Sequence, residues 1–492
     1  MSNDYILGID IGTGSCKIEA FTPEGVSVGK ATCSYPLYRG ENGIVEQEAE
    51  DYWKATITAL GQLFSANPEI KGKIRGIGLT GQTPSEIFVD RQGLPLRQVI
   101  TWQDTRAIVE ADLIRAKYSE GQLFDILGSN VPVSPNWTSS RLMWVARNEP
   151  NIAARCYKIL QPKDYIGLKL TGNYQSDSWT FKSLVHLKTF TTNESYLNFL
   201  GFSSNHLPKI AHWNELRGTV SQRAAKLTGL PAGIPVSTGL SDAPATMLGS
   251  GVFEKPSLAF NCSGTSEIVG ISTEKEQYTK GLMTVPPYIT GTLSILYGPT
   301  QGGGNSLFWL KNNVTSQSDF NVLIQEASSV AAGSEGLLFI PYLSGERAPI
   351  WNAKAKGAFL NLTSMHDRRH FARAVMKGVA FSVRHCLEVA RKADKQVLKT
   401  LRITGGGSRI PLWCKIKCDV CGLPVEILEC EDSTALGAAM TAAVGTGLFP
   451  DLRSASASMV RVVNRLDPDD KNHRLYNELF TQYLEASSLW LD

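Results

Sequence analysis

Short apolar runs ending on Gly, Thr or Asp recur along the chain, each followed by a polar turn and then by another apolar run or a helical pattern. ILGIDIGTGSCKIEAF (6–21) is apolar, turns at Gly12-Thr13-Gly14-Ser15 and is apolar again, which predicts a β-hairpin. IRGIGLTG (74–81), IPVSTGLSD (234–242) and LKTLRITGGGS (398–408) predict buried strands that end at a turn. FARAVMKGVAFSVRHCLEVARKA (371–393) carries apolar residues at helical spacing and predicts a helix. Strands alternating with helices predict an α/β fold with largely parallel sheets.

The first hairpin has a counterpart. LAFNCSGTSEIVGIS (258–272) repeats the strand, the Gly-Thr turn and the strand, with Thr265 about half a chain beyond Thr13. Two such hairpins, one opening each half, predict two similar domains, 1–246 and 247–492, facing each other across a cleft. Coincidence of common turn chemistry is the plainer alternative.

Composition narrows the class without naming a function. The 492 residues are 42% hydrophobic and 19% charged, ordinary for a globular protein. A net charge of +3, spread without any Lys/Arg block, gives no reason to expect a nucleic-acid or membrane-surface partner. The first residues lack a secretory pattern and no run of ~18 apolar residues occurs, so a cytoplasmic location is expected. Nine scattered cysteines fit a reducing compartment. Cys414, Cys418 and Cys421 can be read as part of a zinc site or, at i, i+4, i+7, as one packed helix face. His366 and His370 share helical spacing but sit in a charged run that suits a solvated helix start.

Five segments carry candidate chemistry. Gly12-Thr13-Gly14-Ser15, with Lys17 behind it, offers backbone N–H groups, hydroxyls and a cation to a phosphate. It leads into a strand, so it is no Walker A loop, and a plain hairpin explains it as well. Ser263-Gly264-Thr265-Ser266 repeats those donors, and two such turns on one triphosphate would form a clamp. Asp10, just ahead of the first turn, would repel phosphate unless Mg²⁺ stood between them; otherwise it serves its own turn. ITWQDTRA (100–107) brings together Trp102, Asp104 and Arg106, suited to sugar hydroxyls and C–H faces or to a charged surface turn. Asp242 ends a strand and enters a helix, as a general base or as an N-cap. TGGGSR (404–409) and GPTQGGGNSLFWL (298–310) give glycine-lined approaches for a ring and ribose, or simple strand-to-helix turns.

In this order the segments resemble the FGGY carbohydrate kinases, most closely the xylulokinase-like branch. The resemblance runs through GIDIGTGSCK, Gly81-Gln82, WQDTR, PKDYIGLKLTG (162–172), Asp242, SGTS, PYLSGERAPIW (341–351), ARAVMKGVAF, TGGGSR and STALGAA (433–439). It implies two actin-like, ribonuclease-H-like α/β domains with ATP and sugar in the cleft, and transfer of phosphoryl from ATP to a small sugar or polyol of pentulose or ketose type. It assigns Asp242 as catalytic base and Asp10 to Mg²⁺. Gly12, Thr13, Lys17 and Thr265 would contact phosphates, and Gly304, Gly405, Gly406 and Gly407 would line the nucleotide site. Gln82, Thr83, Trp102 and Asp104 would lie on the sugar side. A homodimer is compatible with the resemblance. An actin- or Hsp70-like nucleotide switch shares the hairpins and Asp10 but leaves WQDTR unexplained.

The chain also departs from the family pattern. Thr83-Pro84-Ser85 replaces the Met-His-Gly of xylulokinases and the Arg-Glu of glycerol kinases. Asn361 stands where a glycine is usual, Lys377 where an acidic residue is usual, and Arg141 where a lysine is usual.

Overall fold

The hairpin at the start of the chain forms because nearly every residue of its first strand can be buried. The computed structural model describes residues 4–287, 291, 293–315 and 319–489. With the strands of the two large sheets numbered in chain order, β1 (Tyr5–Ile11) is buried at six of its seven positions. It pairs antiparallel with β2 (Ser15–Phe21), Asp10 opposite Lys17. Continuous burial on both faces marks a central strand, where apolar residues need not alternate with polar ones. β3 (Ser27–Ser34), β4 (Ile74–Gly81), β5 (Leu216–Thr219) and β6 (Pro235–Ser237) complete a sheet of order β5-β6-β4-β1-β2-β3.

The second sheet consists of β7 (Leu258–Ser263), β8 (Glu267–Thr273), β9 (Met283–Val285), β10 (Ser294–Pro299), β11 (Thr400–Thr404), β12 (Val425–Leu428) and β13 (Val462–Leu466). Its order is β9-β10-β8-β7-β11-β12-β13. In the first sheet β1 is antiparallel to β2 and parallel to β4, β2 is antiparallel to β3, β4 is parallel to β6, and β6 is antiparallel to β5. In the second, β7, β8, β10, β11, β12 and β13 repeat those relations strand for strand. The weak repeat of two turns is therefore a repeat of five strands in the same chain order, with an antiparallel edge strand that comes before its neighbour in the first sheet (β5) and after it in the second (β13), and β9 added at the other edge of the second.

The chain forms two compact units, Met1–Gly251 with Ser433–Met459, and Val252–Asp432 with Val460–Asp492. The expected division, 1–246 and 247–492, runs along the chain; the observed units exchange a segment near its end. The helix Ser433–Gly445, STALGAAMTAAVG, explains the exchange. Its small residues admit strand backbone at close range. A Cβ placed on Gly8 of β1 would lie 2.0 Å from the Ala435 carbonyl oxygen, and one on Gly78 of β4 1.7 Å from that of Ala438. Only glycine fits at these crossings, so this helix is committed to the first sheet.

The predicted long helix spans Arg368–Asp394, capped by the Asp367 side chain at its N-terminus and by Lys395 in the left-handed conformation at its C-terminus. His366 precedes that helix, and His370 meets the capping carboxylate at 2.9 Å. Lys377 is fully buried and donates to the carbonyls of Gly333 and Leu337 at 2.6 and 2.7 Å. Burial lowers its pKa to about 7. Cys414 and Cys418 are buried on the helix Pro411–Cys421 as free thiols. Among the described residues no group of three or more His, Cys, Asp or Glu could hold a metal, and no helix is long and apolar enough to cross a membrane.

Candidate active site

The turn of the first unit is braced from behind. Gly12 N–H donates to the Ser15 carbonyl at 3.0 Å, and the Gln47 amide donates to the Thr13 carbonyl at 2.7 Å. Gln47 in turn accepts from Tyr52 and Gln82, each at 2.8 Å. Gln82 is fully buried; its Nε2 braces the hairpin through Gln47, and its Oε1 has no hydrogen-bond partner among the described residues. Its backbone N–H also donates to the Ile11 carbonyl at 2.8 Å. A Cβ on Gly14 would meet nothing within 4 Å, which leaves the turn's outer face open, with Lys17 exposed beside it.

The Trp102 indole joins this hairpin to the WQDTR segment: its Nε1 donates to Thr13 Oγ1 at 2.8 Å. Asp104 is not part of a surface turn. Its fully buried carboxylate accepts from Val45 N–H at 2.7 Å and from Arg106 N–H at 3.0 Å, and it pairs with the Arg106 guanidinium at 2.7 Å. A carboxylate so engaged holds the loop that presents Trp102.

Thr83 stays partly exposed, and the segment around it is held by a buried ion pair. Arg141, on the helix Thr138–Asn148, meets Glu86 at 3.0 Å with both side chains fully enclosed. Its remaining N–H groups donate to the carbonyls of Pro84 at 3.0 Å, Asn136 at 2.8 Å, and Thr101. Burial pushes the Glu86 carboxyl up and the Arg141 guanidinium down from their ordinary values, and each partner's charge opposes the shift. Arg141, a departure in sequence, thus clamps the backbone at Pro84, Thr101 and Asn136. Ser85 works with it, taking the Trp102 N–H on its hydroxyl at 3.2 Å.

Asp242 is the first residue of the helix Asp242–Gly249, with Ser241 as the N-cap residue. It is half-buried just beyond the carboxyl end of β6, where parallel sheets place ligands. Its Oδ1 accepts from Ala243 N–H at 2.8 Å. Lys182, unnoticed in the sequence, lies within electrostatic reach of Asp242 and, more weakly, of Asp177.

In the second unit the Gly264-Thr265-Ser266 turn is tied to a helix start. Gly304 N–H donates to the Gly264 carbonyl at 2.8 Å and Asn305 N–H to that of Thr265 at 3.0 Å. Gly304 is therefore packed on the turn, where a Cβ would come within 2.8 Å of the Gly264 oxygen. The three glycines of TGGGSR differ. A Cβ on Gly405 would lie 2.7 Å from the Ser263 oxygen, and one on Gly407 2.1 Å from Ser263 Oγ, whereas one on Gly406 would meet nothing within 4 Å. Gly405 and Gly407 let the turn press on β7, and Gly406 presents the open backbone.

A buried network under this turn was also missed in the sequence. Lys417 donates to Asn261 at 2.7 Å and Ser263 at 2.8 Å and pairs with Glu267 at 3.0 Å. Arg347 of the GER segment donates to Ser266 Oγ at 3.1 Å and to the Thr300 carbonyl at 2.6 Å. Its neighbour Glu346 accepts from the N–H groups of Gln301 at 2.5 Å and Arg347 at 2.8 Å. Burial raises the Glu346 pKa to about 7 against those hydrogen bonds. The folded protein therefore keeps a proton to near pH 7 that the unfolded chain loses at ordinary carboxylate pH, so stability falls as pH rises through that window. Glu346→Gln should raise the unfolding free energy at pH 8 by about 1–3 kcal/mol. The gain should vanish near pH 4.5, and equal gains at both pH values in urea denaturation would refute the assignment.

The model of the N-terminal domain of the FGGY family of carbohydrate kinases matches residues 5–249, and that of the C-terminal domain matches 259–446. The chain is 30% identical to the xylulose kinase of Bacillus subtilis (strain 168) over 485 residues, 97% of this chain and 96% of that protein. It is 28% identical to the gluconokinase of the same strain over 497 residues, 99% and 96% of the two chains. Among solved structures, ligand-bound xylulose kinase from Lactobacillus acidophilus matches with a TM-score of 0.89 at 25% identity, covering 99% of this chain and 98% of that one. Gluconate kinase from the same organism matches with a TM-score of 0.88 at 25% identity and the same coverage.

Proposed function

Because the chain belongs to the FGGY family of carbohydrate kinases, enzymes that phosphorylate sugars, we propose that it transfers the γ-phosphoryl group of ATP to a hydroxyl of a small sugar or polyol, with Asp242 as general base. The observation that carries this reading is the position of Asp242: a half-buried carboxylate at a strand's carboxyl end, in the same unit as an open Gly-Thr turn with an exposed lysine.

Asp242 accepts the hydroxyl proton as the acceptor oxygen attacks phosphorus. Its helix start fixes the carboxylate's orientation before the acceptor binds. Thr13, the Gly12–Gly14 backbone and Lys17 take phosphate oxygens in the first unit. Gly406 leaves room for a ring or ribose against backbone. Catalysis of this kind rests on positioning and on charge, because the transferring phosphoryl group is loosely bonded.

The residues present suit Mg²⁺. Asp10 is one carboxylate at the end of β1, and its Oδ2 would lie 3.9 Å from a Cβ at Gly12, beside the turn. Mg²⁺ is commonly held by one or two carboxylates plus phosphate oxygens and water, so no cage of three protein ligands is required. When bound, the ion neutralises phosphate charge, and Asp10 would hold it.

ADP release measured with a panel of ketoses, polyols and sugar acids tests the reading. An acceptor should raise turnover well above the rate with ATP alone. Release indifferent to every acceptor would fit a nucleotide switch instead. The Thr13–Trp102 hydrogen bond makes a narrower prediction: Trp102→Phe keeps an aromatic face but loses the donor. A net bond of about 0.5–1.5 kcal/mol corresponds to a rise of roughly 2- to 12-fold in KM for ATP, and an unchanged KM would show that Trp102 does not set the hairpin.

A further inference from the structure

Lys182 is a cation with an incomplete set of partners. The residue is 5% exposed. Its ammonium sits 4.7 Å over the Trp137 ring and 5.2 Å over the Trp179 ring. Among the described residues the ammonium itself makes no hydrogen bond, while the Lys182 backbone donates to Trp179 and accepts from Ser129. The two carboxylates within its field have other partners: Asp177 accepts from Lys163 at 2.9 Å and from Thr180 at 2.5 Å, and Asp242 accepts from Ala243 N–H. Burial pulls the Lys182 pKa to about 8, with Asp242 and then Asp177 resisting the fall, so the group stays charged at pH 7.

A lysine this deeply buried normally brings its ammonium to acceptors of the protein, because an unpaired buried charge is costly; the Lys182 nitrogen instead stays within reach of solvent. Two indole faces offset part of that cost and leave its N–H donors unused. They also offer apolar surface to the C–H face of a sugar. A neutral ketose or polyol would pair that charge only with hydroxyl oxygens, whereas a carboxylate would form a charge-assisted bond.

We propose that the acceptor carries a carboxylate, as a sugar acid does, and that Lys182, caged by Trp137 and Trp179, is the residue that binds it. This rests on the kinase reading and shifts the acceptor class from the ketose implied by the family resemblance to an acid. Lys182 acts on specificity: it holds one end of the acceptor while Asp242 addresses a hydroxyl.

Two matched pairs test the assignment, D-gluconate against D-glucitol and D-xylonate against xylitol, each pair differing at the carboxylate. Coupled turnover and calorimetric binding are measured for the wild type, Lys182→Met and Lys182→Gln. The wild type should favour an acid over its alcohol by at least roughly 10-fold in kcat/KM or affinity, and the substitutions should lower acid kcat/KM by roughly 10- to 100-fold with the alcohol changed by less than about threefold. No acid preference in the wild type would overturn the proposal whether or not either variant folds. Equal losses on acid and alcohol would also overturn it, placing Lys182 on the transferred phosphoryl group or in the fold. If no acceptor stimulates ADP release, the kinase reading fails separately. Calorimetry then decides on Lys182: acid binding lost in the variants supports it, and no acid binding overturns it.

Discussion

Asp242→Asn should lower kcat for sugar phosphorylation by roughly 10²- to 10⁴-fold, the usual contribution of a positioned general base. The substitution is nearly isosteric, and the amide oxygen can still accept from Ala243 N–H as Oδ1 does. Helix geometry should therefore survive, and KM for ATP should stay within a few-fold of the wild type. Asparagine removes a charge from beside Lys182 as well, and that lysine is buried. A change in acceptor affinity can follow, so kcat and KM need to be read separately. Near-normal kcat with saturating acceptor would remove Asp242 from the chemistry.

Arg141→Met should be the most destabilising single change at the site. Both side chains of the Arg141–Glu86 pair are fully enclosed, so deleting the guanidinium leaves a carboxyl with no counter-charge and frees the Pro84, Asn136 and Thr101 carbonyls. Removing one member of such a pair costs about 3–5 kcal/mol. Urea denaturation should show that loss. Removing both charges, as in Glu86→Leu with Arg141→Met, should recover part of it, because two apolar side chains of fitting volume carry no unpaired charge. The clamp holds Pro84 and Thr101, which flank the residues proposed for the acceptor, so acceptor KM should also rise at temperatures where Arg141→Met is still folded. A loss below about 1 kcal/mol would show that water reaches Glu86 when its partner is removed.

Legibility in the sequence followed distance along the chain. The hairpins could be read because all their information is local: apolar runs, a Gly-Thr turn, apolar runs. IRGIGLTG gave its strand to the residue, since Ile74–Gly81 is the observed β4. IPVSTGLSD predicts a strand over 234–242, and only Pro235–Ser237 is strand. There the chain leaves the sheet through Gly239, whose Cβ would lie 1.9 Å from the Leu79 oxygen, a contact that no local pattern displays.

The site residues divide in the same way. Asp242 was visible as a strand-end carboxylate entering a helix. The bracing roles of Gln82 and Asp104 were not, because each depends on partners from distant segments: Gln47 and Tyr52 for one, Val45 for the other. Lys182 looked like any lysine in a polar stretch; its cage comes from Trp137, 45 residues earlier, and from Trp179. The helix Ser433–Gly445 illustrates the limit for domains, since small residues show that it packs closely without showing on which sheet.

The indole bond from Trp102 to Thr13 ties the loop we propose reads the acceptor to the turn we propose cradles phosphate. Two ligands that each bias one shared element cannot bind independently. Whatever factor a bound acceptor applies to nucleotide affinity through that indole, the nucleotide must return to the acceptor, since both arise from a single coupling free energy. On the proposed reading, discrimination among sugars is then partly a property of the nucleotide state, and an acceptor's rank measured on the empty enzyme need not be its rank during turnover.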